Sequence, residues 1–206
     1  PVEKESFLYA RINCSDQGAL RHLEYLGFQI IEVSLSLEQD NSYEYNRRPI
    51  TKDGYKIRLA TKEDRGAVEN IAIKSFIFDR FHNDPKITNS LANEIKRNWA
   101  GNFFTGQRGS AMIVASENSI PVGFMLLLNG EEKATIDLIA VDENHRKNGL
   151  GMRMIEFTKK ELVKNNLVVG TQVSNIPSIR MYESMGFKTI NSQFVLHYHG
   201  PFTGLD

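Results

Sequence analysis

Residues 146–151 have the types and spacing needed to bind a pyrophosphate group. They read RKNGLG and follow an apolar, strand-like segment. Gly149 and Gly151 permit close approach of the backbone, and the helix predicted to follow presents free N–H groups with a partial positive charge. Arg146 and Lys147 add positive charge. Alone this is a weak signal, because a glycine-rich turn between strand and helix could equally bind a dinucleotide or only cap the helix.

A second candidate segment lies downstream and reads VSNIPSIRMYESMGF, from Val173 to Phe187. Asn175 follows a predicted strand, a helix opens next to it, and Tyr182 stands midway along that helix. From the pattern alone, Tyr182 is an aromatic core residue packed beside neighbouring methionines. The alternative, a chemical role, depends on its position seven residues after Asn175 and four before Gly186 and rests on the resemblance described next.

Together, the R-x-x-G-x-G turn and this downstream segment resemble the GNAT superfamily of N-acetyltransferases in order and separation. The resemblance implies a GNAT acyl-CoA N-acyltransferase fold of mixed α/β class, with acetyl-CoA as cosubstrate, no metal, and a primary amine as acceptor. It implies that Tyr182 is the catalytic residue, placed near the thioester sulfur. It also implies these cofactor-binding residues: Ile139, Ala140, Val141, Arg146, Lys147, Asn148, Gly149, Leu150, Gly151 and Asn175.

Over its whole length the chain resembles the TDP-fucosamine acetyltransferases within that superfamily, which acetylate a nucleotide-linked 4-amino-6-deoxy sugar. Residues 57–87, followed by Asn98 and Trp99, resemble their acceptor-binding helix–loop–helix. This implies His82 and Asp84 as substrate contacts, although the same two residues also fit a loop-capping histidine and a turn-forming aspartate. Trp99 could stack on the acceptor or belong to the core.

Acetyl transfer to an amine requires alignment of the two reactants, a donor for the oxyanion and stabilisation of the departing thiolate. A phenol of pKa about 10 cannot readily protonate a thiolate whose conjugate acid has a pKa of about 8.5. We therefore expect Tyr182 to donate a hydrogen bond to the sulfur, with the proton supplied by solvent. For the amine, the candidate bases are His82, Asp84, Asp137 or a water relay. A backbone N–H of residues 139–141 is the expected oxyanion donor.

Periodicity places these residues on a strand–helix framework. Strands are predicted at residues 7–13, 28–38, 57–59, 111–115, 121–128, 135–141, 168–173 and 189–197, and helices at 16–26, 61–76, 89–99, 150–165 and 177–185. Residues 79–86 are predicted to form a loop. The strand at 138–141 is expected to part from the strand at 168–173 and to hold pantetheine in the cleft, as an added strand would be held.

Displacing the chain by 159 residues lays Leu8 to Leu37 over Leu167 to Leu196 without a gap and brings Gly27 and Phe28 onto Gly186 and Phe187. We interpret this as a degenerate internal repeat. The predicted organisation is therefore a partial N-terminal GNAT-like unit (residues 1–46), a polar linker (47–54) and a catalytic GNAT domain (55–206). In the overlay Tyr182 falls on Leu23, so the N-terminal unit would be a structural remnant.

The amino-acid composition limits the classes of binding partner and the cellular compartment that we expect. The 25 Lys and Arg residues balance the 25 Asp and Glu residues, which gives no overall attraction to nucleic acid or to anionic membranes. Cys14 is the only cysteine, which excludes intrachain disulfides and fits a reducing, cytoplasmic compartment. No apolar run approaches the roughly 20 residues of a membrane span. The chain starts at Pro1 rather than Met, so we expect a longer natural protein; a homodimer is left open.

The acceptor is most simply a sugar nucleotide, a small molecule. The alternatives are a peptide, a polyamine, an antibiotic amine, or a non-catalytic role in which the fold only binds acyl-CoA. The complete R-x-x-G-x-G turn, together with Asn175 and Tyr182, argues against the last of these.

Overall fold

The computed structural model describes residues 5–40, 42 and 54–201. The strands in these ranges are β1 (Glu5–Asn13), β2 (Gln29–Gln39), β3 (Tyr55–Leu59), β4 (Ala111–Glu117), β5 (Ile120–Asn129), β6 (Lys133–Val141), β7 (Asn166–Gln172) and β8 (Lys188–Pro201). The helices are α1 (Gln17–Tyr25), α2 (Arg65–Ser75), α3 (Arg80–Asn83), α4 (Asn89–Gly101), α5 (Leu150–Glu161) and α6 (Ile176–Ser184). The predicted mixed α/β class is confirmed.

All eight of these strands join one sheet in the order β1-β8-β2-β7-β6-β5-β4-β3. Every neighbouring pair is antiparallel except β6 and β7, which run parallel. The two N-terminal strands therefore do not form a separate sheet. Strand β2 lies between β7 and β8, and β1 extends the sheet beyond β8.

Helices cover both faces of the sheet, as expected where strands carry apolar side chains on both sides. On one face α5 and α6 pack against the strands through a cluster that includes Met154, Ile155 and Tyr182. On the other face α2 and α4 pack through a cluster that includes Val68, Ala72 and Ala100. None of the helices in the described ranges has the length and apolar content that a membrane crossing requires.

Several local predictions differ from the structure, among them the end of β8, which extends to Pro201 rather than to residue 197. Helix α5 ends at Glu161, four residues earlier than predicted, because the chain turns at Leu162 and buries Val163 in the core. Residues 80–83 form the single turn α3 rather than a loop, since the Asp79 side chain accepts a hydrogen bond from the Phe81 N–H and caps it. The predicted linker at 47–54 lies outside the described residues except for Gly54, so the division into two units stays a prediction.

Candidate active site

Strands β6 and β7 separate partway along their length. Their parallel ladder ends at Ile136 and Val169, whereas β6 continues to Val141 and there pairs only with β5. At the same point a β-bulge leaves Asp137 without a partner on β5. Bulges redirect side chains and end pairing next to functional sites. The result is an opening in the sheet with a free backbone edge along residues 137–141.

Three of the predicted cofactor-binding residues, Ile139, Ala140 and Val141, lie on this free edge. On the β7 side this stretch has no strand partner in the described ranges, and the peptide groups that alternate toward that side are left for a ligand. An extended amide-containing arm can pair with such an edge as an additional strand does. The geometry fits the predicted pantetheine site, and that assignment remains a prediction.

The turn before α5 is built to bind an anion. Gly149 is the N-cap residue in the left-handed conformation (φ 69°) and no side chain caps the helix there. Lys147 is also left-handed (φ 64°), so the turn bends tightly toward the helix axis. The first-turn N–H groups therefore remain available, in the arrangement that favours phosphate oxygens.

Side-chain contacts hold this turn in shape. The Arg146 Nε donates to the Val141 carbonyl at 3.1 Å, and the Asn148 amide donates to the His145 carbonyl at 3.1 Å. Gly151 has a packing reason of its own, because a Cβ there would lie 2.9 Å from the Met181 Sδ. A side chain at Gly151 would make the flexible Met181 side chain shift, so packing of α5 against α6 favours glycine here, in addition to the cofactor approach inferred from the sequence.

Asn175 and Tyr182 both belong to α6. Asn175 is the N-cap residue, and its side chain accepts from the Ser178 N–H at 3.3 Å. Tyr182 is 2% exposed and its ring lies 5.4 Å from that of Phe187. Burial raises the pKa of the Tyr182 phenol, so the hydroxyl keeps its proton and can serve only as a donor or neutral acceptor. Tyr182 is therefore a core residue, as its pattern indicated, and its catalytic role stays a prediction.

A cavity of about 460 Å³ lies behind the opening between β6 and β7, on the face that carries α3 and α4. Its polar and charged lining comes from β1, β2, β6, β7, the two helices and the loop after α4. These residues are Tyr9, Arg11, Glu32, Ser34, Ser36, Asp79, Arg80, Lys96, Trp99, Arg108, Thr135, Asp137, Thr171 and Gln172. The same face of the sheet is apolar where α2 covers it and polar where it lines this cavity. A polar surface is expected where the sheet contacts a polar ligand rather than the hydrophobic core.

Glu32 is the carboxyl group in this lining that is best suited to accept a proton. It is 9% exposed; one oxygen lies 3.4 Å from the Gln172 amide, and the other has no hydrogen-bond partner. Burial raises the pKa of Glu32. A cavity-lining carboxyl group with a raised pKa is a candidate general base. Sequence reasoning missed it because the alternation along β2 gives the same polar face whether that face contacts solvent or a cavity.

Asp137 is less suited to this role. Arg108 donates to both of its oxygens at 2.6 Å, and the Trp99 indole N–H donates to Oδ2 at 2.9 Å. These three donors stabilise the carboxylate and occupy the lone pairs that a proton would need. The same contact explains Trp99, whose ring packs against the core while its N–H binds the cavity wall.

His82 and Asp84 do not line the cavity. The His82 ring lies between the Asp79 Oδ2 (2.7 Å) and the Asn93 Oδ1 (2.9 Å), so both of its nitrogens are engaged. Asp84 is 2% exposed and its Oδ2 contacts two histidines of β8. His82 therefore supports Asp79, which does line the cavity. The predicted substrate contacts of both residues gain no support from this placement.

Asp84, His197 and His199 form a cluster that was not predicted, since 113 residues separate Asp84 from His197. Their potential ligand atoms lie within 4.8 Å of one another. The Asp84 Oδ2 is 2.6 Å from the His197 Nδ1 and 2.7 Å from the His199 Nε2. At these distances each ring nitrogen is within hydrogen-bond range of the Asp84 carboxylate. The cluster ties the α3–α4 loop to β8.

The parted strands, the uncapped turn before α5 and helix α6 lie within one segment of the chain that matches a known family. The chain belongs to the Acetyltransferase (GNAT) family, which matches residues 66–187. The family consists of acetyltransferases that use acetyl-CoA as cosubstrate, and the chain is an enzyme of this kind.

Individual proteins are also similar to this chain, and one of them matches nearly all of it. The spore coat polysaccharide biosynthesis protein SpsD of Bacillus subtilis is 26% identical over 200 residues, which cover 95% of this chain and 68% of SpsD. The [Ribosomal protein bS18]-alanine N-acetyltransferase of Escherichia coli is 28% identical over 94 residues, 43% of this chain and 64% of that protein.

Among solved structures, a GCN5-related N-acetyltransferase from Sphaerobacter thermophilus has a TM-score of 0.67 at 15% identity. The match covers 100% of this chain and 63% of the other, and it shows a shared fold. This chain thus spans about two thirds of the length of both SpsD and the Sphaerobacter protein.

Proposed function

We propose that the protein transfers the acetyl group of acetyl-CoA to the primary amine of a nucleotide-linked amino-deoxy sugar. The observation that carries this proposal is the opening between β6 and β7. It joins a free backbone edge and an uncapped helix start, suited to acetyl-CoA, to a polar cavity suited to the acceptor. The two substrates would meet at the opening, and the amine would attack directly in a ternary complex.

The cavity favours a sugar over the other amines. Its floor presents hydroxyl and amide groups of Ser34, Ser36, Thr135 and Gln172, which match the hydroxyl groups of a sugar ring. SpsD acts in polysaccharide biosynthesis by its name, and its likeness covers nearly the whole chain, including β1 and β2. The peptide-modifying E. coli relative matches less than half of the chain. Four basic side chains against three carboxylates in the lining also disfavour a polycationic acceptor.

The proposed chemistry uses these groups as follows. The amine nitrogen attacks the thioester carbonyl carbon, the new C–N bond forms, and the C–S bond breaks. Glu32 takes the proton that the nitrogen loses, directly or through one water molecule. A backbone N–H of residues 139–141 stabilises the oxyanion. The Tyr182 hydroxyl donates a hydrogen bond to the CoA thiolate, which then acquires its proton from solvent.

Release of the CoA thiol tests this function. The protein is incubated with acetyl-CoA and, in separate reactions, with dTDP- and UDP-linked 4-amino-6-deoxy sugars, spermidine, an aminoglycoside and an N-terminal alanine peptide. We expect amine-dependent thiol release with a nucleotide sugar, and mass spectrometry should show one acetyl group added to the amine. Turnover only with a peptide or a polyamine would overturn the acceptor class, and no amine-dependent release from a protein that binds acetyl-CoA would overturn catalysis.

A further inference from the structure

The charges that line the cavity are not all compensated. Arg108 forms a salt bridge with Asp137 at 2.6 Å, and the Lys96 Nζ lies 3.6 Å from Asp79. Arg11 and Arg80 also line the cavity, and neither forms a salt bridge within the described part of the chain. Two guanidinium groups therefore remain at one wall, built from β1 and α3.

Arg80 is held in place by aromatic rings rather than by a carboxylate. Its Cζ lies 4.1 Å from the centre of the Tyr9 ring and 4.7 Å from that of the Phe81 ring. The Nη1 atom is buried and has no hydrogen-bond partner. Stacking fixes the plane of the guanidinium, while a donor without an acceptor is costly in a protein interior. An oriented guanidinium with spare donors is the arrangement that binds planar or tetrahedral oxyanions.

Arg11 adds a second positive charge beside Arg80, which makes a bound anion more favourable at this wall. Burial lowers the pKa of Arg80 most, and the positive charge of Arg11 lowers it further, whereas Tyr9 and Glu32 act in the opposite direction. Glu32 therefore offsets part of the positive charge at this wall, but it forms no salt bridge with either arginine, and burial raises its own pKa. A ligand that brings negative charge to this wall would relieve the repulsion and satisfy the free donors.

We propose that Arg80, assisted by Arg11, binds a phosphate or diphosphate group carried by the acceptor. This inference rests on the proposed function, because it takes the cavity as the acceptor site. It adds to that function the residues that hold the phosphate groups of the acceptor. The site is distinct from the pyrophosphate turn before α5, because it lies on the α3–α4 face and uses side chains of β1 and α3. The anion would anchor one end of the acceptor at this wall and leave its amine free to reach the opening near Glu32.

Binding to the CoA-saturated protein tests the proposal. Saturation with CoA fills the turn before α5, so any further phosphate binding occurs elsewhere. Inorganic pyrophosphate, UDP and dTDP are titrated by calorimetry at up to millimolar concentration, with uridine and thymidine as uncharged probes and malonate as a dicarboxylate. We expect at least one diphosphate to bind with one site per chain, and the nucleosides and malonate to bind at least tenfold more weakly.

Variants then locate the site. Arg80→Gln should weaken diphosphate binding about tenfold to a hundredfold, the range expected when a charge-assisted, bidentate hydrogen bond is lost. Arg80→Lys should give an intermediate loss because it keeps the charge without the planar fork. Arg11→Gln, in an exposed side chain, should give a smaller loss, and Arg97→Gln on the outer face of α4 should give none.

The outcomes separate this inference from the proposed function. No diphosphate binding, preference for malonate, or equal binding by folded Arg80→Gln and wild-type protein would each overturn the phosphate site. If such a protein still acetylated an amine that carries no phosphate group, the acetyl-transfer function would stand without the phosphate site. Conversely, diphosphate binding that depends on Arg80, without amine-dependent thiol release, would support the site and contradict the enzyme.

Discussion

The segments β1–α1–β2 and β7–α6–β8 have the same local structure and contrasting surroundings. Helices α1 and α6 each have nine residues, begin at positions 159 apart and are capped alike, by Asp16 and Asn175. Gly27 and Gly186 end them with φ angles of 87° and 84°. We refer to these segments below as the N-terminal copy and the C-terminal copy.

Strand pairing extends the likeness into an approximate twofold relation. Arg11 pairs with Val195 across β1 and β8, and the corresponding pair, Gly170 with Ser36, occurs across β7 and β2. The two copies thus pack against each other antiparallel, with β2 and β8 side by side at the centre. The helices, caps and register of the two segments thus match at the 159-residue displacement, while the division into an N-terminal unit and a catalytic domain stays a prediction.

The two copies differ in the elements that precede them along the chain. In the C-terminal copy β7 follows β6 and α5, which supply the free edge and the uncapped helix start. In the N-terminal copy the corresponding strand, β1, is the edge of the sheet within the described ranges. Leu23 occupies the position of Tyr182 and belongs to neither large hydrophobic cluster. We infer that the N-terminal copy has no cofactor site, and that its strands complete the sheet and supply Glu32 and Arg11 to the acceptor cavity.

The largest expected effect comes from removing the N-terminal copy. Deleting residues 1–46 leaves β7 and β8 without the strand that lies between them and opens one wall of the cavity. We expect low solubility and loss of acetyl transfer, measured by soluble yield, circular dichroism and thiol release. A truncated protein as stable and active as the full chain would show that the copy is dispensable.

Glu32→Gln should have the next largest effect. Removing the base should lower the acetyl-transfer rate by about 10²- to 10⁴-fold and leave acetyl-CoA affinity unchanged. Because burial raises the pKa of Glu32, the wild-type rate should fall on acidification at a pH above the usual carboxyl range. This acidic limb should vanish in the variant.

Glu38→Gln is the matched control, because Glu38 lies on the same strand outside the cavity, paired with Lys133. If Glu32→Gln and Glu38→Gln behaved alike under conditions where chemistry limits the rate, Glu32 would not be the base.

Tyr182→Phe should slow the transfer about tenfold to a thousandfold, the range for loss of one positioned donor. Acetyl-CoA affinity should stay near wild type, since the hydroxyl group matters mainly when the sulfur carries charge. Single-turnover kinetics measures the effect. Tyr25→Phe, on the exposed surface of α1, is the control in the N-terminal copy and should change nothing. Unchanged single-turnover rates in Tyr182→Phe would remove Tyr182 from the mechanism.

The smallest expected effect separates the two helix-turn glycines. Gly149→Ala and Gly27→Ala each place a side chain in the left-handed region, at a cost of about 1 to 2 kcal/mol in the free energy of unfolding. Only Gly149→Ala should also weaken CoA binding, by roughly tenfold, because it disturbs N–H groups that bind phosphate. Thermal unfolding and calorimetry measure both quantities. Equal CoA affinity in the two variants would contradict the placement of the pyrophosphate.

Sequence patterns predicted what depends on local order. The periodicities located the elements, the R-x-x-G-x-G turn located the start of α5, and the repeat located the two copies. The acceptor cavity escaped prediction because it assembles residues from distant parts of the chain. Polar alternation in β2 did not distinguish a cavity wall from a solvent face, so Glu32 was missed. His82 and Asp84 were singled out within their loop, but contacts with Asn93 and with β8 turn them away from the cavity.

The stoichiometry of acetyl-CoA binding tests the contrast between the two copies most directly. Titration calorimetry on the full chain should give one acetyl-CoA per chain, with affinity that falls in Gly149→Ala and is unaffected in Glu32→Gln. This is the result expected if only the C-terminal copy, with β6 and α5 before it, forms a cofactor site. Two acetyl-CoA molecules per chain, or a single site that is insensitive to Gly149→Ala and lost in Gly27→Ala, would contradict the account.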